Sequence, residues 1–186
     1  MKHLNFAMLF LLMQTTAPIF ESDLGPGEGP HEFVASATEL HLFASPSSVG
    51  NARMIGVSAG QRLPYDETRY KTIQAGRIRV LKATQWEIRE FGPVSRVFHE
   101  DYYSDKFKRQ KIELQPDTII EYLQYRAEGS CFFRIGGKVM DGTCPLYDET
   151  KFHLEREEKT EWWIHVSNGT SAGWLLVDKS LKEVPQ

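Results

Sequence analysis

A chain of 186 residues, 41% hydrophobic and 25% charged, holds enough apolar material for one medium domain or two small ones. A formal net charge of -3 and a pI near 6.1 leave no broad basic field, which excludes a nucleic-acid binder of the electrostatic kind. The one basic cluster, Lys106-Phe107-Lys108-Arg109-Gln110-Lys111, follows acidic residues at Glu100, Asp101 and Asp105. It reads as a solvated loop or an edge-strand guard, with a polyanion site as the alternative.

In chain order, Lys2 precedes an uncharged apolar run from Leu4 to Met13 and then Gln14-Thr15-Thr16-Ala17-Pro18, the layout of a secretory signal. The run is shorter than the roughly 20 residues a membrane-spanning helix needs, so no membrane span is expected in the mature chain. The expectation is a signal over residues 1–22, cut between Ala17 and Asp23, and a periplasmic or secreted product. Residues 23–37, centred on Gly25-Pro26-Gly27-Glu28-Gly29-Pro30, read as a flexible linker.

Short alternating runs follow, separated by turns. Strands are expected at Thr38–Phe43 and Met54–Val57, with a polar aromatic segment at Tyr65–Tyr70 and clean alternation at Gly76–Leu81, where Ile78 and Val80 face inward and Arg77 and Arg79 face water. A further strand spans Gln85 to Arg89. Phe91 to Asp105 reads as a long connection, and a boundary near Arg109 separates a first β domain, 38–109, from a second, 110–186. Lys111–Leu114 alternates, Gln115-Pro116-Asp117 turns, and Thr118–Arg126 is the best long strand.

The only two cysteines, Cys131 and Cys144, lean toward a disulfide in an exported chain. Gly136-Gly137 is a type I′ hairpin signal. In that register Ile135 pairs with Lys138, Cys131 lies opposite Gly142, and Cys144 is one diagonal step away on the same face; a slightly longer loop places the two thiols directly opposite. A bridge closing so small a ring stabilises by roughly 3 kcal/mol in the chain-entropy view. Pro145–Lys159 is charged, with a short helical turn expected around Phe152 to Glu157. Then Trp162–Val166, the loop Ser167-Asn168-Gly169-Thr170-Ser171 and Ala172–Val177 form a second hairpin. No sustained 3.6-residue periodicity appears, so the fold class is all-β, as small barrels or sandwiches.

The pattern Trp163-x-x-Val166, an Asn-Gly loop, Gly173-Trp174-Leu175 and then Leu181-Lys182-Glu183-Val184 resembles the bacterial Src-homology-3-like (SH3b) domain, clearest over 162–184. In that family the two strands pair and a single 3-10 turn, here Asp178-Lys179-Ser180, leads to a last short strand. A weaker second copy over 38–82 is carried by Leu40-His41-Leu42-Phe43-Ala44-Ser45-Pro46-Ser47 and Ile55-Gly56-Val57-Ser58-Ala59-Gly60. Tyr70 stands where a Trp is expected, and the cysteine hairpin is not part of the usual barrel. The resemblance implies two small SH3-like barrels, or one composite β barrel or sandwich, with a binding groove for cell-wall peptide or peptidoglycan.

Catalytic templates are missing: there is no G-x-S-x-G elbow, H-E-x-x-H helix, P-loop or Rossmann glycine signature. His99-Glu100-Asp101 has no second His spaced to complete a metal site, so neither a metal nor a cofactor is expected. His41 reads as a hydrogen-bonded or half-exposed strand residue, and Asp117, Glu121, Glu128 and Asp141 are the carboxylates available for a hydrolytic pair. Aromatic surface remains. Alternation puts Ile164, Val166 and Trp162 in the core and leaves Trp163 for a partner, with His165, Tyr122, Tyr125 and Tyr70 as further outward candidates. The expected function is a non-enzymatic binding protein recognising cell-wall peptide, glycan or an envelope protein through an aromatic groove. The alternatives are a small periplasmic hydrolase using Cys131 or a carboxylate pair, and an inhibitor or immunity-type protein presenting the Gly136-Gly137 loop.

Overall fold

Alternation of apolar and polar residues over short runs produces an almost purely β molecule, as expected. The structure is a computed structural model describing residues 18–24, 32–48, 50–167 and 171–184. Residues 1–17 of the export signal expected over 1–22, the centre of the expected linker at 25–31 and the Asn168-Gly169 turn lie outside the described residues.

The first seven-stranded sheet contains β1 (Phe20–Ser22), β2 (Glu32–Ala35), β5 (Arg62–Gln74), β8 (Arg96–Val97), β14 (Lys159–Ser167), β15 (Ala172–Leu176) and β16 (Leu181–Glu183). Its spine runs β15-β14-β5-β1-β8, while β2 joins the start of β5 to β16. A separate hairpin, β3 (Glu39–Leu42) with β4 (Arg53–Gly56), reaches β15 through a single bridge, Phe43 to Trp174. Together these strands enclose one core of Phe33, Leu40, Leu42, Leu63, Ile164, Val166, Leu175 and Leu181.

The second sheet is antiparallel throughout, in the order β13 (Phe152–Arg156), β6 (Gly76–Val80), β10 (Ile119–Ala127), β11 (Ser130–Ile135), β12 (Lys138–Thr143), β7 (Thr84–Gly92), β9 (Arg109–Leu114). Four strands separate β13 from β7, so a flat sheet would hold them about 24 Å apart at roughly 4.8 Å per strand. Yet the rings of Trp86 and Phe152 are 5.5 Å apart. The sheet therefore curls into an open barrel, and its concave side is filled by Ile78, Val80, Trp86, Ile88, Ile120, Phe133 and their neighbours. Ile78 and Val80 are fully buried while Arg77 points to solvent, as the alternation requires.

The convex side is covered as well. Phe20 of β1, Val97 of β8 and Tyr102 of a one-turn helix, α1 (His99–Tyr102), pack on Leu123, Phe132 and Val139. With Phe132 and Phe133 pointing to opposite faces and both fully buried, β11 is a central strand with no wet side.

The cysteine hairpin forms in the expected register: Ile135 pairs with Lys138, Cys131 with Gly142, and both Gly136 and Gly137 take positive φ, 56° and 81°. Cys131 and Cys144 are joined, with Cα atoms 4.9 Å apart. The 14–15 hairpin pairs from Trp163–Leu176 to Ser167–Ala172, and Leu181 N–H closes the following turn on Asp178 O at 3.0 Å.

Four expectations differ from what is observed. Glu32–Ala35, inside the expected linker, is β2, because Phe33 enters the core with no exposure. Phe20–Ser22, inside the expected signal, is β1, and Phe20 is equally buried. Phe152–Arg156 is a strand, not a helical turn: pairing with β6 overrides local propensity, and the helical turn sits earlier, at Pro145–Tyr147. The division at Arg109 falls at the start of β9, and the strands group differently: β2 to β5 share one core with β14 to β16, while the strands of the curled sheet all come from the stretch between them, which also sends β8 to the first sheet. Residues 39–63 and 162–181 thus contribute to one core, which β2 to β5 and β14 to β16 enclose as a small barrel. β5, at 13 residues the longest strand, was only a polar aromatic segment by pattern, since its pairing with β14, β1 and β2 depends on distant chain.

Candidate functional site: a cleft on the barrel

β14 carries Trp162 and Trp163, and neither is free. Trp162 faces the barrel core with Ile164 and Val166, stacked on Tyr70 at 5.1 Å. Trp163, expected to face a partner, has no exposure: it packs edge-on against Phe43 at 5.4 Å, and its Nε1–H donates to Glu161 Oε2 at 2.9 Å. The alternation assigned the two rings correctly to opposite faces, but Phe43, at the end of β3, covers the second face. That covering contact joins residues far apart in sequence, so the local pattern gave no sign of it.

The other expected ligand residues do not converge on a groove. Tyr70 and Tyr122 are buried at 8% and 3% exposure, on different sheets, and burial pushes both phenols well above their ordinary range, so both stay protonated. Both corrections have one cause: β5 and β10 are interior strands, covered on the faces that the pattern left open. Tyr125 is 37% exposed on β10, with its hydroxyl accepting from Gly129 N–H at 3.3 Å. His165 is half-buried, its Nδ1 2.6 Å from Asp66 Oδ1 and its ring 5.3 Å from Trp174. The disulfide removes Cys131 as a thiol nucleophile. Among the candidate carboxylates, Asp117 pairs with Arg79, Glu121 with Arg134 and Asp141 with Arg126. Among the described residues no three His, Cys, Asp or Glu side chains gather to hold a metal ion, and no helix is long and apolar enough to cross a membrane.

What the barrel does offer is a cleft of about 220 Å³ between β3 and β15. Phe43 and Trp174 exchange two backbone hydrogen bonds, 2.9 and 2.8 Å, and Gly173 is what permits the approach: a Cβ there would lie 2.7 Å from Phe43 O and from Leu42 Cγ. Beyond that bridge, among the described residues, no backbone hydrogen bond links the two strands, so they splay. The floor is Leu40, Leu175 and Leu181; the rim carries Glu39, His41 and Asp178. Asp178 is fixed by accepting from Ser180 N–H and Oγ–H at 2.8 and 2.6 Å. An apolar floor between two facing strand edges, with an acidic rim, is suited to an extended segment that adds main-chain hydrogen bonds while seating an apolar side chain. His41 and the Leu40–Ser47 segment were legible in the sequence; the role of Glu39 and Asp178 was not, because they meet only through the fold.

A second polar constellation lies on the convex side of the curled sheet. A row of cross-strand neighbours runs from Phe132 to Asp141, Arg89 and Arg109. Tyr102 sits above it between two guanidinium groups, Arg89 and Arg126, each 4.6 Å from its ring, and donates its hydroxyl to Asp141 Oδ2 at 2.9 Å. Asp141 is 3% exposed, and burial raises its carboxyl above the ordinary range against the opposing pull of Tyr102 and the arginines. An aspartate amid the apolar run Val139-Met140 was the one hint of this cluster in the sequence.

Compared with known proteins, the chain matches no family model, no curated protein and no solved structure.

Proposed function

We propose that the chain is an exported, non-enzymatic binding protein built on an SH3-like barrel, which takes an extended cell-wall peptide or envelope-protein segment in the cleft between β3 and β15. The observation that carries this reading is the cleft itself, where two strand edges, beyond the Phe43–Trp174 bridge, face each other without pairing over an apolar floor. Support comes from the strand grouping: the segments resembling SH3b, the β3–β4 hairpin and β14 to β16, line the same barrel. The groove is not the aromatic one expected; among its described lining residues the rings are those of Phe43 and His41. Export agrees with a signal ending at Ala17, since a cut after Ser22 removes the buried Phe20.

The test is co-sedimentation of residues 18–186 with purified peptidoglycan, alongside crosslinking to envelope peptides, for wild type and Leu176→Glu. Leu176 is half-buried at the cleft, so the added carboxylate fills it without entering the core. Capture by the wild type that Leu176→Glu loses, with unchanged circular dichroism, supports the reading. Equal capture by both, or none by either, removes it.

A further inference from the structure

Several surface cations are matched by carboxylates: Arg77 and Arg79 with Glu155, Arg134 with Glu121, Lys138 with Glu90, Lys151 with Asp148. The convex side of the curled sheet is different. There Arg89, Arg109 and Arg126 gather around one buried carboxylate, Asp141, already engaged by the Tyr102 hydroxyl. Glu87 offsets Arg109 at 3.2 Å. Lys106, Lys108 and Lys111 follow on the same segment, exposed and, among the described residues, with no carboxylate partner. The same segment also carries Glu100, Asp101, Asp105 and Glu113, so these lysines are a local feature and not a broad basic field.

Beside it lies a pocket of about 380 Å³ lined by Arg89, Tyr103, Ser104, Asp105, Phe107 and Lys108. Its parts are held in place. Arg89 is fixed by donating from a terminal nitrogen to Tyr102 O at 2.5 Å, and Phe107 is anchored on Phe91 at 4.9 Å. Because Tyr102 is clamped inward, the next residue, Tyr103, turns outward, 63% exposed, with the His99 ring 4.5 Å away supporting it. The costly burial of Asp141 with two guanidinium groups thus fixes a one-turn helix that could not hold itself, and fixes the pocket with it.

We propose that this pocket is a second binding site, distinct from the barrel cleft, and that it takes the carboxylate of an acidic glycan. A flat exposed ring stacks on the C–H face of a sugar, Arg89 and Lys108 receive its carboxylate, and Ser104 and Asp105 serve its hydroxyls. The pocket is a small-ligand volume, not a long groove, which fits one or two sugar units better than an extended polyanion. Asp105 at the rim also disfavours indiscriminate polyanion binding.

The experiment titrates residues 18–186 with tetragalacturonate, a neutral tetragalactose and a tetraglutamate peptide by calorimetry, at low and at physiological salt. Tetragalacturonate is expected to bind, more weakly as salt rises, with affinity reduced about tenfold or more by Lys108→Glu and by Tyr103→Ala. Both residues are exposed, so unchanged thermal melting is expected and keeps the comparison valid. Leu176→Glu should leave this binding intact, which separates the site from the cleft. No binding of tetragalacturonate, equal binding of the neutral sugar, equal or tighter binding of tetraglutamate, or affinity unmoved by both variants each overturns the proposal.

Discussion

The barrel and the curled sheet are made of the same kind of short alternating strand, but they are assembled in opposite ways. The curled sheet draws all its strands from the stretch β6 to β13, from which β8 alone leaves to join the first sheet, and includes hairpins whose partners adjoin in sequence, such as β10–β11 and β11–β12. The barrel joins β2 to β5 with β14 to β16; Trp162 Nε1–H reaches Thr68 Oγ1, 94 residues away, at 2.7 Å. Contacts so distant carry a loop-closure cost, which the curled sheet largely removes by returning its own ends to one place. Arg77 pairs with Arg156 across β6 and β13, and the Arg156 guanidinium donates twice to Ala75 O, at 3.2 and 3.0 Å. β5 and β14 therefore leave the sheet side by side, ready to pair. The lesson is that an inserted unit whose ends meet lets a small barrel be split without losing its register.

The largest expected effect tests the barrel alone. Trp163→Ala empties a fully buried site and is expected to cost about 4 kcal/mol. In hydrogen exchange the loss of protection should concentrate in β2 to β4 and β14 to β16, with β10 to β12 still slow. Uniform loss across both regions breaks the comparison. Next, replacing Cys131 and Cys144 together by Ala is expected to cost about 3 kcal/mol, seen as a lower urea midpoint, and to reverse that exchange pattern by loosening β11 and β12 first. The smallest change examines the junction. A Cβ at Gly76 would lie 3.0 Å from Arg156 O and 3.1 Å from Tyr122 Cβ, so Gly76→Ala is expected to cost about 2 kcal/mol and to speed exchange in β5 and β14 as well as β6 and β13. An effect confined to β6 and β13 would mean that the ends of the sheet do not position the barrel strands.

Where turn chemistry and alternation act over a few residues, the sequence was a sufficient guide. Gly136-Gly137 set the pairing of Ile135 with Lys138 and hence the cysteine bridge, and Ile78 and Val80 took their faces from period alone. The candidate sites were much less legible. The aromatic residues favoured for a partner are mostly core, because apolar rings that look outward on one strand become inner surface once another segment covers them. The cleft and the convex pocket are each lined by residues that share no local pattern: Glu39 with Asp178, Arg89 with Lys108.

By itself, then, the sequence determined the all-β class, the principal hairpins, the register of the cysteine hairpin, and the assignment of Trp162 and Trp163 to opposite faces. Only the tertiary structure decided that both faces of β14 are closed, that β5 is the spine of a sheet, and that the two chain ends share a barrel. The physical reason is range. Side-chain period and turn preference are set by neighbouring residues, whereas the covering of a face and the pairing of an edge depend on which distant strand arrives there.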